Sequence, residues 1–135
     1  MLTKKTKYGL KAMVYLARNS QGQPILISEI ATEENIPLKF LEGILLDLKN
    51  KELLASKKGK GGGYFLNKSA KDISIASIIR VLDGPIALLP CVSLNYYKKC
   101  DDCIDEFTCS LNRVMVQVRD KTLKVLERQS LDDLV

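Results

Sequence analysis

The feature that most constrains this chain is the confinement of its four cysteines to one short segment. Cys91, Cys100, Cys103 and Cys109 lie within nineteen residues, and the rest of the sequence has none. Thiols so close in sequence can converge on one point, where soft thiolates select zinc or iron–sulfur centres. The N-terminus lacks an apolar signal segment, and no run of about 18 apolar residues occurs, so we expect a cytoplasmic protein without a membrane span. Cytoplasmic thiols stay reduced, which favours metal or redox chemistry over two structural disulfides.

The charge of the chain is concentrated in its first half. Residues 1–68 contain 12 Lys/Arg and 6 Asp/Glu, whereas residues 69–135 contain 9 and 10, within a net charge of +5. A basic half joined to a near-neutral half favours a polyanion partner for the first half. Lysines that merely keep the surface hydrated would give the same balance, so charge alone leaves both readings open.

The basic half opens with a predicted helix that Thr3 caps and that runs to about residue 19. Lysines at positions 4, 5, 7 and 11 cluster in its first three turns. Cations at a helix N-terminus interact unfavourably with the helix dipole, so we expect these lysines to bind another group. Backbone phosphates are the candidate, with Lys4 and Lys7 as the predicted contacts.

Two short helices are predicted next. Ser28 suits the N-cap of a helix over residues 29–34, Asn35 suits its left-handed end, and Pro37 suits the start of a second helix that runs to about residue 51. Its inward residues are predicted to be Leu38, Leu41, Ile44, Leu45 and Leu48. This spacing predicts a helix-turn-helix, whose second helix presents its early residues to base edges. The predicted DNA contacts in this part are Ser28, Pro37, Lys39, Phe40 and Glu42.

A lysine- and glycine-rich turn at residues 57–63 separates two strand-like stretches, 53–56 and 64–66. A β-hairpin directly after a recognition helix is typical of a wing, where glycines allow close approach and lysines neutralise phosphates. A nucleotide phosphate loop is disfavoured, because the G-x-x-x-x-G-K-[ST] pattern is absent and no helix starts directly after the glycines. The predicted wing contacts are Lys57, Lys58, Lys60, Gly61, Gly62 and Tyr64.

The second half is predicted to hold a helix over residues 75–82 capped by Ser74, a break at 83–85, an irregular cysteine loop and a long helix from about 108 to 129. Residues 131–135 are predicted to form a short turn or helix. Apolar residues recur along the long helix at three- and four-residue intervals. Such a helix needs a partner, and its twin in a second chain is the simplest one, although it could pack on its own domain alone. The predicted dimer contacts are Leu111, Val114, Met115, Val118, Val125 and Leu126.

Together these elements predict a mainly α fold with a small β-hairpin wing. We expect a winged helix-turn-helix DNA-binding domain at 1–83, a cysteine-rich sensor loop at 84–109, and a dimerisation helix with a C-terminal tail at 110–135.

Several motifs resemble those of the IscR/NsrR/CymR family of bacterial winged-helix regulators. They are L-T-K-K-T-K-Y-G-L-K-A-M at 2–13, I-S-E-I-A at 27–31, I-P-L-K-F-L-E at 36–42, G-K-G-G-G-Y-F-L at 59–66, I-S-I-A-S-I-I-R-V-L-D-G-P at 73–85 and S-L-D-D-L at 130–134. The resemblance covers essentially the whole chain. It implies a homodimeric transcription factor, expected to be a repressor, that binds a palindromic operator in double-stranded DNA. The helix from Pro37 would enter the major groove, and the wing would enter the minor groove.

The resemblance also implies an iron–sulfur cluster, either 2Fe–2S or 4Fe–4S. Cys91, Cys103 and Cys109 match the three cysteines that bind iron in cluster-holding members.

The fourth ligand of the family does not carry over. The histidine expected three residues after the last cysteine is Asn112 here, and the acid expected before the N-terminal tyrosine is Lys7. Cys100 is favoured instead, because thiolate is the softest ligand available. An acid in the loop is the other option: Asp101, Asp102 or Glu106.

Three other readings of the cysteines remain. Zinc is one, although C-x8-C-x2-C-x5-C has a single C-x2-C knuckle where structural zinc sites usually have two. A metal-free switch that oxidises Cys100 and Cys103 to a disulfide is another. A thiol–disulfide enzyme using the same pair is disfavoured, because no βαβ pattern surrounds it. The chain contains no histidine, so Cys/His nucleophilic catalysis is excluded and we expect no enzyme activity.

Overall fold

The computed structural model describes residues 2–135 and is mainly helical with one antiparallel hairpin, as the sequence predicts. The helices are α1 (Lys4–Asn19), α2 (Ile27–Glu33), α3 (Leu38–Asn50), α4 (Ile75–Leu82) and α5 (Ser110–Arg128). The strands are β1 (Leu54–Lys57) and β2 (Gly63–Leu66). Single 3₁₀ turns lie at Ala70–Asp72, Pro90–Val92, Glu106–Thr108 and Leu131–Leu134. None of the helices within residues 2–135 is long and apolar enough to cross a membrane.

The hydrophobic core lies where α1, α3 and α4 meet. Met13, Leu16, Leu45 and Ile78 are fully inaccessible to solvent there. The predicted N-caps of α1 and α4 are confirmed, since the Thr3 and Ser74 side chains accept hydrogen bonds from backbone N–H groups three residues on. The C-terminal turn returns to this core, where Leu131 is completely buried.

The start of α2 differs from the sequence prediction. The helix begins at Ile27 with Leu26 in the N-cap position, so Ser28 lies inside the first turn and caps nothing. The physical reason is a tertiary pairing that local propensity cannot reveal. Ile25 and Tyr64 exchange two backbone hydrogen bonds of 2.8 Å, which hold Ile25 extended against β2 and let the chain turn at the next residue.

The second helix of the pair follows the prediction more closely. Asn35 adopts the predicted left-handed conformation with φ +53°. Pro37 is the N-cap of α3 rather than its first helical residue. Four of the five predicted inward residues are buried, but Leu38 is 45% exposed. Residues 37–40 are all exposed, so the first turn of α3 projects beyond the core and takes Leu38 with it.

The hairpin pairs Leu54 with Leu66 and Lys57 with Gly63. Its position depends on a glycine at residue 63, which has φ +144°. A Cβ atom there would lie 2.3 Å from the backbone oxygen of Ile25, so the strand approaches the α1–α2 connection too closely for any side chain.

The long helix α5 packs on α4 and on the Pro90–Val92 turn. Leu123 is buried against the rest of the chain, and Leu126 is half-buried beside the core. The opposite side of the helix carries an exposed apolar stripe, which we define as Leu111, Val114, Val118 and Val125.

Candidate DNA-reading surface and cysteine site

The first turns of α3 present the predicted base-contacting residues to solvent. Lys39, Phe40 and Glu42 are all exposed. The Phe40 ring also packs edge-to-face on Tyr8 of α1, with the ring centroids 5.6 Å apart. This contact fixes the exposed end of α3 against α1 while leaving the Lys39 and Glu42 side chains available.

The lysines of α1 divide into two groups. The Lys5 ammonium lies 2.8 Å from the Asp47 carboxylate, and the Lys11 ammonium donates to the backbone oxygen of Glu34 at 2.6 Å. Lys4 and Lys7 are exposed, and neither forms an ion pair with a residue in the 2–135 range. Of the four α1 lysines, the two predicted to contact phosphate are thus the two that form no ion pair within the described residues.

The hairpin tip supplies further exposed cations, Lys57, Lys58 and Lys60. Gly61 is also exposed, with φ +76° and open space around its Cα. Gly62 differs, because it is buried and a Cβ there would lie 2.2 Å from the backbone oxygen of Lys57. Lys57 to Gly61 therefore form the accessible surface of the tip, while Gly62 serves to close the turn.

Two other predicted contacts have clear structural surroundings. Tyr64 is half-buried against the core and pairs with Ile25, so its backbone fixes the base of the hairpin. Ser28 is exposed in the first turn of α2. Nothing in the sequence alone distinguishes Gly62 and Tyr64 from the exposed residues beside them.

The outer two cysteines are joined by one residue of α5. Cys91 lies in the Pro90–Val92 turn, and Cys109 is the N-cap of α5. The backbone N–H of Asn112 donates to the Cys109 sulfur, and its side-chain amide donates to the Cys91 sulfur, both at 3.4 Å. The residue in the expected histidine position therefore holds two thiols with hydrogen bonds.

The inner two cysteines lie on a tight turn. The backbone N–H of Cys103 donates to the Cys100 carbonyl oxygen at 3.1 Å. A hydrogen bond with the Cys91 thiol raises the pKa of Cys100, and burial followed by the charge of Cys109 raises the pKa of Cys103. All four cysteines are free thiols, and neighbouring thiols contribute to the raised pKa values of Cys100 and Cys103.

The segment around the thiols is open and partly apolar. A hydrogen bond from the Tyr97 hydroxyl to Glu106 closes the segment and raises the pKa of Tyr97 to about 12. A groove of about 430 Å³ runs beside Cys91, Cys109 and Asn112. Phe107 forms one wall of this groove and is 95% exposed.

Cysteine thiols are the soft donors of this segment. Among residues 2–135, no three Cys, Asp or Glu side chains are placed to share one metal ion, as a zinc site would require. An iron–sulfur cluster would distribute its cysteine ligands over two or more irons. Cys91, Cys100, Cys103 and Cys109 are the residues that would hold it.

Two contacts join the cysteine site to the rest of the chain. The Arg119 guanidinium on α5 donates to the backbone oxygen of Val92 at 3.0 Å, next to Cys91. At the other end of the segment, Asp83 accepts hydrogen bonds from the Thr3 N–H at 3.0 Å and from the Thr6 hydroxyl at 2.9 Å. These bonds hold the pKa of Asp83 below its usual range and fix the N-terminus of α1, where Lys4 and Lys7 lie.

Comparison with known proteins agrees with this arrangement. A family model described as Rrf2, iron-dependent transcriptional regulator, matches residues 2–135. An rrf2-like HTH-type transcriptional regulator of Rhodobacter capsulatus is 44% identical, covering 100% of this chain and 92% of the relative. The regulator IscR of Pectobacterium carotovorum is 32% identical, covering 99% and 78%. The solved structure of CymR, the global cysteine regulator of B. subtilis, superposes with a TM-score of 0.80 at 30% identity, covering 99% and 95%.

Proposed function

This chain belongs to the Rrf2 family of iron-dependent transcriptional regulators, and on that premise we propose that it is a homodimeric repressor whose operator binding is controlled at its cysteine segment. Its relatives are transcriptional regulators, not enzymes, and so is this protein. One connection carries the proposal. The exposed basic residues of α1, α3 and the hairpin tip, which we call the reading surface, are joined to the four thiols by a single short segment.

DNA binding would use three parts of the reading surface. The exposed early residues of α3 would enter the major groove, where Lys39 can donate to guanine and Glu42 can accept from cytosine. The hairpin lysines would neutralise phosphates beside the minor groove, and Lys4 and Lys7 would do the same at the start of α1. Two copies on a palindromic site would place their α3 helices about 34 Å apart.

The test of DNA binding is the replacement of Lys58 and Lys60 by glutamine. Binding is expected to weaken at every DNA sequence, and the salt dependence of log K is expected to fall by about 2 for each bound chain. Lys71→Gln with Lys124→Gln gives the same charge change at exposed lysines outside the predicted DNA contacts, and it should leave the salt dependence unchanged. Equal binding by both double variants would exclude the hairpin as a DNA contact.

For control by the cysteine segment, we propose that the four thiols hold an iron–sulfur cluster with Cys100 as the fourth ligand. The effect of the Cys91 thiol on the pKa of Cys100 supports this choice, as does the use of both Asn112 donors on sulfur. When bound, such a cluster supplies a group that oxygen, nitric oxide or iron shortage can remove. The residues of the chain would keep the four thiols together. A change in the arrangement of the thiols would be transmitted through the contacts of the segment with α5 and through Asp83.

The ligand assignment is tested by anaerobic assay of iron and sulfide per chain. Cys100→Ser is expected to lower both, while Asp101→Asn should leave them at the wild-type value. Adding Asn112→His to Cys100→Ser should restore iron, because it supplies the histidine of the family arrangement. Full iron in Cys100→Ser alone would exclude Cys100 as a ligand. Equal operator affinity of iron-loaded and metal-free protein would exclude cluster-controlled binding.

A metal-free thiol switch is the second candidate, and one observation favours it in a changed form. The Cys91 thiol is the largest cause of the raised pKa of Cys100, so the pair expected to oxidise in this form is Cys91–Cys100 rather than Cys100–Cys103. Peroxide would accept two electrons from these two thiols, forming the disulfide and water. Peptide mapping after mild peroxide treatment is expected to recover the Cys91–Cys100 disulfide, and a Cys100–Cys103 disulfide would contradict this form of the switch.

A further inference from the structure

The side of α3 that faces directly away from the core carries an outer row of exposed residues, Lys39, Gly43, Leu46 and Asn50. At about 100° per residue, these side chains project within about 30° of the direction opposite the buried side of the helix. The buried residues of α3 are Leu41, Ile44, Leu45 and Leu48. When α3 lies in the major groove, the outer row is therefore the part of the helix that reaches deepest between the DNA strands.

Leu46 is the large apolar residue of the outer row, and it is 50% exposed. The core lies on the far side of the helix, so packing within the chain cannot bury this side chain. A single exposed leucine is common on protein surfaces, and Leu46 alone indicates no ligand. Here, however, the leucine stands between Lys39 and Asn50 on a helix that is expected to contact base edges.

Gly43 is the second unusual residue of the outer row, because nothing in the chain requires a glycine there. Outside its own turn of helix, a Cβ atom at Gly43 would meet no heavy atom of residues 2–135 within 4 Å. Gly9 of α1 differs, since a Cβ atom there would overlap the Leu82 side chain. Glycine inside a helix is less stable than alanine. Gly43 therefore destabilises α3 without a packing reason and leaves a gap in the row, three residues before Leu46.

A thymine methyl group matches the chemistry of Gly43 and Leu46. The C5-methyl group of thymine is an apolar feature of the major groove, and apolar side chains contact it. The missing side chain at Gly43 lets a base edge approach the helix backbone closely. Leu46 then supplies the aliphatic surface on which the methyl group can pack. The lysine of the same row, Lys39, can donate to guanine.

We propose that Gly43 and Leu46 form a notch that receives a thymine methyl group in the major groove and so selects thymine at one position of each half-site. This inference rests on the proposed DNA binding through α3 and adds a base that the helix selects. Lys39 and Leu46 are separated by about 10 Å along the helix axis. That separation spans about three base-pair steps of about 3.4 Å. The thymine is therefore expected about three base pairs from the guanine that Lys39 contacts.

The experiment uses a DNA duplex that the full chain, prepared anaerobically, selects from a random-sequence pool. Each thymine of the selected duplex is replaced in turn by uracil, which forms the same base pair and lacks only the methyl group. Fluorescence anisotropy at fixed salt measures the dissociation constant. For the wild type, replacement of the thymine at the notch is expected to raise this constant by about fourfold in each half-site, because one buried methyl group is lost.

Three variants assign the uracil effect to the notch. Leu46→Ala should weaken binding to the thymine duplex and remove the uracil effect at that position, because the methyl group has lost its partner. Leu38→Ala is the matched control, since Leu38 lies on the same helix at 45% exposure but outside the outer row, and it should keep the whole effect. Gly43→Ala should fill the notch and raise the dissociation constant by about fivefold or more. The urea midpoint of Gly43→Ala should stay equal to that of the wild type or rise.

The outcomes separate the notch from DNA binding itself. A chain that enriches no sequence from the pool overturns selective binding by α3 and the notch together. A selected duplex in which uracil at every thymine position leaves wild-type binding unchanged overturns the notch alone. A uracil effect that Leu46→Ala leaves intact, or that Leu38→Ala removes equally, would place the methyl contact elsewhere and also overturn it. So would unchanged DNA binding by Gly43→Ala.

Discussion

The DNA-reading half (residues 2–83) and the cysteine segment (residues 84–109) are stabilised in different ways. Between residues 12 and 82 the chain buries seventeen apolar side chains in one core. Between residues 84 and 109 the buried residues are Val92 and Ser93. A segment with so little apolar burial cannot hold one conformation through packing, so hydrogen bonds and any bound group must do so. The reading half is therefore a fixed scaffold, whereas the cysteine segment has few packing contacts that would fix it.

The largest expected effect tests the rigidity of the reading half. Gly63→Ala should destabilise the protein by about 3 kcal/mol in urea unfolding, because its Cβ would overlap the Ile25 backbone. Gly61→Ala also carries a positive φ but meets open space, and it should cost only about 1 kcal/mol. Equal losses would show that the close approach of hairpin and α1–α2 connection does not exist in solution.

A smaller effect is expected at the boundary between the two regions. Asp83→Ala leaves the Thr3 and Thr6 donors without their acceptor and should cost about 1 kcal/mol, whereas the exposed Asp72→Ala should stay within about 0.5 kcal/mol. Because the pKa of Asp83 is lowered from 3.8, its contribution is present above that value and is lost as the pH falls through the folded-state pKa. The difference between wild type and Asp83→Ala should therefore be constant near neutral pH and shrink in acid. A difference that instead grows in acid would contradict the contact.

We expect a substitution within the cysteine segment to have almost no effect on global stability. In reduced, metal-free protein, Cys103→Ser should change the free energy of unfolding by less than about 0.5 kcal/mol, since this thiol supports no core residue. Urea unfolding followed by circular dichroism measures it. A loss comparable with that of Gly63→Ala would remove the distinction between the two regions.

The finest comparison uses one tyrosine–carboxylate pair in each region. The Tyr15 hydroxyl donates to Glu29 and the Tyr97 hydroxyl donates to Glu106, and each bond raises the tyrosine pKa from 10.0 to about 12. Each contact is intact below pH 10 and is lost as the pH rises through the raised value. Absorbance titration of wild type, Glu29→Gln and Glu106→Gln should show one tyrosine returning toward 10 in each variant. In the wild type, Tyr97 could titrate near pH 10 while Tyr15 titrates near 12. That result would show that the cysteine segment does not keep this conformation in solution.

The sequence predicted those features that local chemistry determines. Thr3 and Ser74 cap the helices expected of them, and Asn35 takes the left-handed conformation, because caps and turns depend on a few neighbouring residues. Ser28 failed as a cap because the pairing of Ile25 with Tyr64, thirty-nine residues away, sets where α2 begins.

The candidate site shows the same limit. The residue types at the cysteine positions predicted a thiol site, but not the hydrogen bonds that Asn112 makes to two of the sulfurs. Those bonds require the Pro90–Val92 turn to fold onto α5, which no local pattern encodes. The Asp83 contact with Thr3 and Thr6 was missed for the same reason, since it joins residues that are distant in the sequence.

The two ends of α5 are held by different partners. At its C-terminal end, the Gln129 carbonyl accepts from Ile75 of the core region at 3.0 Å, and Leu131 follows inside the core. At its N-terminal end, the helix is capped by a cysteine of the weakly packed segment. A rod fixed at one end amplifies motion at the other. Over 19 residues, or about 28 Å, a tilt of about 5° about the core end would move Ser110 by about 2.5 Å. The helix therefore has the geometry of a lever whose fulcrum lies in the DNA-reading half.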